Sequence, residues 1–198
     1  MLHFNTVSPL LREILEDLMR NELFASFRLV GGTALSLYHG HRKSVDIDLF
    51  SPAPYGSLDF KAFDKYLKST HAYVDSTDTE IIGMGKSYFV GESQNEAIKL
   101  DLYYNDALTD APEIYEGLRL ATNDSIVAMK MDVIQRMGRK KDFYDVHELA
   151  LNYSILEMIQ LHDKFYPFSH DRKLLQSKLL DFSLADDDFE PDCLRGKH

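Results

Sequence analysis

The sequence predicts an α/β (α+β) protein, with a small mixed sheet carrying helices on one side and then a C-terminal helical region. Three observations lead to this fold class. Strand-like alternation dominates the first half of the chain, a glycine pair joins a short strand to a short helix, and helical spacing of apolar residues dominates after residue 112. With 198 residues, 44% of them hydrophobic, the chain is long enough to bury a core.

Signals along the chain predict the elements in order. Ser8 and Pro9 are typical of a helix start, and Gly138 is typical of a helix end. The predicted strands are residues 27–30, 45–50, 73–74, 80–82, 87–90, 97–104 and 118–121. The predicted helices begin at residues 9, 33 and about 59 and then cover 123–137, 142–151, 154–165 and 169–181. We expect a core of residues 1–110, a packed helical region of residues 111–198, and a disordered acidic tail from about residue 183.

The composition of the chain limits its possible binding partners and cellular compartments. The formal net charge of −10 weighs against a broad nucleic-acid footprint, which depends on neutralising phosphates, although it leaves room for a local basic groove. The single cysteine, Cys193, excludes disulfides within the chain and suits a reducing cytoplasm. No stretch approaches eighteen apolar residues and no leader-like segment opens the sequence, so we expect neither a membrane span nor secretion.

Residues 45–50 alternate strictly and carry two acids. Val45, Ile47 and Leu49 share one face of the predicted strand, and Asp46 and Asp48 share the other. Two residues apart on a strand, the acids are about 6.5–7 Å apart at the backbone, so their oxygens can converge on one cation. The sequence therefore predicts a half-buried strand that presents a pair of metal-ligating carboxylates.

A glycine turn precedes this strand. Gly31 and Gly32 follow a predicted strand and lead into a short helix. A glycine turn at a helix start offers backbone amides to a phosphate group. A phosphate cradle close to a pair of metal ligands predicts a site for a nucleoside triphosphate (NTP).

A third acid lies on the strand predicted for residues 97–104. Ile98, Leu100 and Leu102 face one way, whereas Lys99 and Asp101 face the other. If this strand lies beside residues 45–50, Asp101 joins the carboxylate pair on the open face. The alternative is a solvated acid on an edge strand.

The string Gly31-Gly32-Thr33 followed by Asp46-x-Asp48 resembles the signature of the DNA polymerase β-type nucleotidyltransferases. With Ala34-Leu35 and His41-Arg42-x-Ser44 added, it closely resembles the AbiEii/AbiGii toxin-type nucleotidyltransferases of bacteria. In that superfamily, a third acid on a later strand serves near the attacking hydroxyl, and Asp101 matches it by position.

The C-terminal half extends the resemblance. The family carries a lysine on one helix, then an arginine, then a Lys-Asp-x-x-Asp string, which here are Lys130, Arg136, Lys141, Asp142 and Asp145. Lys130 would meet a triphosphate as a point charge, and Arg136 would hold phosphate oxygens or brace a carboxylate. Asp142 would orient Lys130 or Arg136 or approach the metal, and the roles of Lys141 and Asp145 stay open. We interpret Arg139 and Lys140 as a solvated turn.

The resemblance implies transfer of a nucleoside monophosphate from an NTP to a hydroxyl group, with Mg²⁺ or Mn²⁺ as cofactor. It assigns the metal to Asp46, Asp48 and Asp101, and the nucleotide to Gly31, Gly32, Thr33, Arg42, Ser44, Lys130, Arg136 and Asp142; Arg42 would contact the nucleotide or hold its loop. It also implies the toxin of a bacterial toxin–antitoxin or phage-defence pair, with tRNA as acceptor and an antitoxin as partner. Two alternatives remain: transfer to a small molecule or protein hydroxyl, and a nucleotide-binding module without turnover.

Overall fold

A mixed seven-stranded sheet is the central feature of the computed structural model, which describes residues 1–76 and 83–196. The strands in chain order are β1 (Arg28–Leu29), β2 (Asp46–Ser51), β3 (Tyr73–Ser76), β4 (Gly85–Ser93), β5 (Glu96–Tyr104), β6 (Glu113–Tyr115) and β7 (Leu118–Leu120). Their order across the sheet is β3-β4-β5-β2-β1-β7-β6. The pairs β2/β5 and β1/β7 are parallel, and the other neighbours are antiparallel. This confirms the predicted mixed α/β fold.

Seven α-helices accompany the sheet within the described residues. They are α1 (Pro9–Arg20), α2 (Gly31–His39), α3 (Phe60–Thr70), α4 (Asn123–Met137), α5 (Lys140–Leu149), α6 (Ile155–Phe165) and α7 (Arg172–Lys178). The start of α1 follows its sequence signal, since the Ser8 hydroxyl accepts a hydrogen bond from the Leu11 amide and Pro9 takes the first helical position.

The core lies on one face of the central strands. Ile47 and Leu49 of β2 and Leu100 and Leu102 of β5 are fully buried there. They join apolar side chains of the helices in one hydrophobic cluster, which includes Leu11, Ile14, Leu15 and Leu18 of α1 and Phe63 and Leu67 of α3. Because strand residues alternate, Asp46 and Asp48 of β2 and Lys99 and Asp101 of β5 occupy the opposite, open face.

Two local expectations meet a different outcome, and a third falls outside the described residues. Val45 was expected on the buried face, but it precedes β2 and is 68% exposed, because pairing with β5 begins only at Asp46. Residues 192–194, expected in a disordered tail, pair with the loop after α2: the Lys43 amide donates to the Asp192 carbonyl, and the Leu194 amide to the His41 carbonyl. The strand predicted for residues 80–82 lies outside the described residues.

Candidate active site

Two aspartates lie on the open face of β2. Asp46 and Asp48 alternate with the buried Ile47 and Leu49. The parallel neighbour β5 places Asp101 directly beside Asp48 in register. Side chains at paired positions share a face, so Asp101 stands on the same surface as Asp46 and Asp48. The predicted adjacency of the two acidic strands is confirmed.

Asp48 carries an electrostatic cost in this arrangement. Its burial raises the pKa of its carboxyl group to about 6, and the charges of Asp101 and Asp46 act in the same direction. The cations of Lys99 and Lys130 offset part of this effect. A further cation beside Asp48 would favour its ionised form.

Asp101 has one satisfied and one unsatisfied oxygen. Lys99 Nζ lies 2.5 Å from Asp101 Oδ2, whereas Asp101 Oδ1 is buried without a hydrogen-bond partner among the described residues. Leaving a buried carboxylate oxygen without a donor is costly. The alternation of residues 97–104 predicts this face for Lys99 but no role for it; its spacing of two residues from Asp101 is the signal that the sequence contains.

The glycine turn lies against Asp48. Gly31 begins α2 with φ +67°, and a Cβ atom there would lie 2.6 Å from Asp48 Oδ2. A Cβ on Gly32 would collide with the guanidinium of Arg42. The first amides of a helix have no intrahelical acceptor, and here the ladder begins with the Ala34 amide bonding to the Val30 carbonyl. The turn therefore combines close approach to a carboxylate with a helix start that can receive an anion.

Thr33 and Ser44 hold the turn against β2. The Thr33 hydroxyl donates to the Asp46 carbonyl at 2.5 Å, and its oxygen lies 2.7 Å from Ser44 Oγ. Both side chains are buried. These contacts use the two hydroxyls within the protein, so the amides at the start of α2 are the groups that remain for a phosphate.

Asp145 is the centre of a buried ionic cluster. Arg42 donates to both of its oxygens, from Nε at 2.7 Å and from Nη2 at 2.8 Å. His41 Nε2 and Lys130 Nζ each lie 2.7 Å from Asp145. Burial acts to raise the pKa of Asp145, but the charge of Lys130 and the hydrogen bonds from Arg42 and His41 outweigh it and hold the pKa well below its usual range. Arg42 therefore holds the loop after α2 in place, which is one of the two roles expected for this residue.

Lys130 is shared between two aspartates. Its Nζ donates to Asp142 Oδ1 at 2.7 Å in addition to its contact with Asp145. Burial acts to lower the pKa of Lys130, but the charges of Asp145 and Asp142 outweigh it and raise the pKa. Asp142 Oδ2 also accepts from the Arg139 amide at 3.1 Å, as part of the N-terminal cap of α5. Of the roles left open for Asp142, the geometry favours orienting Lys130.

Arg136 lies away from this cluster. Its side chain is 71% exposed and forms an ion pair with Asp132, one turn earlier on α4. Six residues separate Arg136 from Lys130, which places them about 120° apart around the helix. The structure therefore does not bring Arg136 to the predicted phosphate site, and the carboxylate that it braces is Asp132.

A cavity of about 290 Å³ joins these parts. The start of α2, the open face of β2 and one side of α4 and α5 form its walls. Its lining residues are Val30, Gly31, Gly32, Arg42, Ser44, Asp46, Asp48, Phe50, Met129, Lys130, Val133, Arg139, Lys141 and Asp142. Lys141 crosses this space toward β2, with Nζ 3.9 Å from Asp46 Oδ2.

The acidic tail reaches the rim of the cavity. Both oxygens of Asp188 accept from Arg139 at 3.0 Å, and Glu190 pairs with Lys140 at 2.7 Å. The charge run of Arg139 and Lys140 predicts a solvated turn. Tertiary contacts with the tail, which no local pattern indicates, give both side chains specific partners.

The three open-face carboxylates offer the hard oxygen ligands that suit Mg²⁺. The unsatisfied Asp101 Oδ1 and the raised pKa of Asp48 fit a cation between the strands. Within residues 1–76 and 83–196, however, no three acidic, histidine or cysteine side chains are already gathered as a metal-ligand set. Lys99 and Lys141 approach Asp101 and Asp46 instead.

An acidic strand pair facing a glycine turn on a mixed sheet is the arrangement implied by the resemblance to polymerase β-like nucleotidyltransferases, and the fold is shared with nucleotidyltransferases of known structure. The protein belongs to the AbiEii family, described as nucleotidyl transferase toxins of type IV toxin–antitoxin systems, whose model matches residues 13–193.

Several known proteins are similar to this chain in sequence or in fold. An uncharacterized Aquifex aeolicus protein is 33% identical over 141 residues, which cover 68% of this chain and 63% of that relative's length. The nucleotidyltransferase toxin MenT4 of Mycobacterium tuberculosis has the same fold, with a TM-score of 0.56, 16% identity and coverage of 93% of this chain and 76% of MenT4. JHP933 of Helicobacter pylori gives a TM-score of 0.55 at 23% identity, covering 91% and 82% of the two chains.

None of the helices in the described part of the chain is long and apolar enough to span a membrane.

Proposed function

We propose that the enzyme transfers a nucleoside monophosphate from an NTP to a hydroxyl group and releases pyrophosphate. The observation that carries this proposal is the register of β2 and β5, which sets Asp101 beside Asp48 on the face where Asp46 also stands. The acceptor oxygen would bond to the α-phosphorus while the bond from that phosphorus to the β-phosphate bridge breaks. The hydroxyl proton would pass to Asp101, whose Oδ1 has no donor among the described residues.

The cavity beside β2 suits the triphosphate. Amides of Gly31, Gly32 and Thr33 at the start of α2 would hold phosphate oxygens. Lys130 would stabilise charge on the departing pyrophosphate from a position fixed by Asp142 and Asp145. Cleft closure by residues 111–198 over the core of residues 1–110 belongs to the same proposal, since α4 and α5 supply Lys130, Arg139 and Lys141 to the cavity.

Asp46, Asp48 and Asp101 would hold Mg²⁺, or Mn²⁺ in its place. A bound divalent ion would supply Lewis-acid stabilisation of the phosphates and lower the pKa of the acceptor hydroxyl. Asp48 is suited to this role because its neighbours are carboxylates and its pKa is raised. The oxygen-only donor set favours a hard metal over zinc.

Family membership supports a biological role as the toxin of a bacterial toxin–antitoxin or phage-defence pair, acting in the cytoplasm. tRNA is our proposed acceptor and an antitoxin our proposed partner. Transfer to a small molecule or protein hydroxyl is the second candidate, and the net charge of −10 favours it because a broad phosphate-binding surface is not expected. A module without turnover would have no use for three carboxylates on one face.

Incubation with each NTP labelled at the α-phosphate, Mg²⁺ and total RNA tests the proposal. We expect label on tRNA, whereas label on a small molecule or on protein would identify the second candidate. Asp46→Asn and Asp48→Asn should each abolish labelling, and Asp163→Asn, at an exposed position on α6, should not. Transfer that survives both strand substitutions would refute the metal assignment, and label on no acceptor would favour the binding module.

A further inference from the structure

Phe89 is an exposed aromatic residue on the open face of an internal strand. β4 lies between β3 and β5, and its Tyr88 and Val90 are fully buried. Phe89 points to the opposite side and is 47% exposed. It has no aromatic ring partner among the described residues. Single exposed apolar side chains are common, so it is the place of this ring, on the same face as the proposed catalytic carboxylates, that makes it a candidate substrate contact.

The position of Phe89 relative to the proposed chemistry is set by strand register. β4 pairs Phe89 with Lys99 and Ser87 with Asp101. Phe89 is therefore the diagonal neighbour of Asp101, about 7–8 Å away at the backbone. This spacing is comparable with the size of one nucleotide residue.

Two zones can be distinguished on the open face of the sheet, one on each side of β2. Asp46 and Asp48 line the cavity beside the glycine turn, whereas Lys99, Asp101 and Phe89 lie on the other side of β2 and do not line it. A transferase needs places for two substrates with the reacting groups between them. If the cavity holds the NTP, the β4–β5 zone is the place for the acceptor.

The side chains of this zone match a nucleotide. Phe89 offers a ring face for base stacking, and Lys99, with a side chain 41% exposed, offers a cation for a phosphate. The net charge of −10 limits affinity from phosphate contacts alone, so stacking would have to supply much of the binding. A free aliphatic or sugar hydroxyl would make no use of the exposed ring.

We infer that Phe89 stacks on the terminal base of a polynucleotide acceptor and so presents the terminal hydroxyl to Asp101. This inference rests on the proposed nucleotidyl transfer to a polynucleotide and adds a residue that determines specificity for the acceptor. It does not depend on which nucleotide is transferred.

Binding of two short fluorescent oligoribonucleotides tests the inference. They share all phosphates and the terminal hydroxyl, but one lacks the terminal base. Fluorescence anisotropy without NTP compares the wild type with Phe89→Ala, Phe89→Trp and the control Phe168→Ala, a fully exposed ring outside the sheet. Phe89→Ala should weaken binding of the base-bearing oligonucleotide about 5- to 100-fold. It should leave the abasic one unchanged, and Phe89→Trp should retain tight binding.

An equal effect of Phe89→Ala on both oligonucleotides, or no effect on either, would overturn the inference, as would failure of the wild type to prefer the base-bearing one. The labelling assay separates this outcome from failure of the proposed function. A wild type that transfers label to no hydroxyl refutes nucleotidyl transfer, while the binding comparison still decides the role of Phe89.

Discussion

Replacing Asp48 with Asn should stabilise the metal-free protein while abolishing its activity. Burial and the charges of Asp101 and Asp46 raise the pKa of Asp48 to about 6, from 3.8 for an unperturbed carboxyl. Because one pKa unit corresponds to about 1.4 kcal/mol, ionised Asp48 lowers the free energy of unfolding by up to about 3 kcal/mol. Asparagine has a similar shape without the charge, so Asp48→Asn removes this penalty.

The contribution of Asp48 to the free energy of unfolding depends on pH with a definite sign. Between pH 4 and 6 the folded protein holds a proton on Asp48 that the unfolded chain has lost, so this group makes stability fall as pH rises through that window. The advantage of Asp48→Asn should be about 3 kcal/mol at pH 8 and roughly half as large at pH 5. For a chain of this length, 3 kcal/mol corresponds to a shift of about 6–12 °C in the midpoint of thermal unfolding.

Urea unfolding in EDTA at several pH values measures this advantage directly. Comparing variant with wild type at each pH cancels the titration of all other groups. Asp46→Asn is the matched control, and since the Asp46 side chain is 34% exposed, we expect a change below about 1 kcal/mol. A destabilised Asp48→Asn protein, or an advantage that does not change between pH 5 and 8, would refute the electrostatic reasoning.

Three further predictions concern the site and its supports. Asp145→Asn should lower the free energy of unfolding by about 3–5 kcal/mol in urea titrations, because it leaves buried cations without their shared carboxylate; a loss below 1 kcal/mol would contradict this. Gly31→Ala should reduce nucleotidyl transfer at least about tenfold by displacing Asp48, whereas Gly117→Ala, also at a positive φ but with nothing within 4 Å, should cost only the backbone strain of about 1–2 kcal/mol and retain transfer. Asp188→Asn should change stability by less than about 1 kcal/mol in thermal unfolding, because its arginine partner is more than half exposed.

Local patterns predicted the parts of the site that depend on strand alternation. Asp46, Asp48 and Asp101 were placed on open strand faces by their apolar neighbours, and the structure pairs their strands in register. Alternation fixes the face of each residue, but it contains no information about which strands are neighbours. The expectation that the two acidic strands are neighbours came from the resemblance to a known family.

The long-range ionic contacts were beyond local reasoning. Asp145 meets His41 and Arg42 across more than a hundred residues, so no spacing rule connects them. Arg136 was assigned to the site through its place in a family string, although the helical angle from Lys130 already favoured another face. Acidic residues after 183 suggested a disordered tail, whereas in the structure Asp188 pairs with Arg139, the N-cap residue of α5.

The charges around the cavity bear on how a nucleotide would enter it. Four cationic side chains line it, Arg42, Lys130, Arg139 and Lys141, and each has an aspartate partner; the pairs of Arg42 and Lys130 are buried, whereas those of Arg139 and Lys141 are partly exposed. The opposite wall carries Asp46 and Asp48, which would repel a triphosphate that arrived without counter-ions. A divalent cation would turn this repulsion into attraction, because the phosphates and the carboxylates could both coordinate it. The buried pairing of Arg42 and Lys130 thus fits a site that recognises the nucleotide together with its metal rather than the free polyanion.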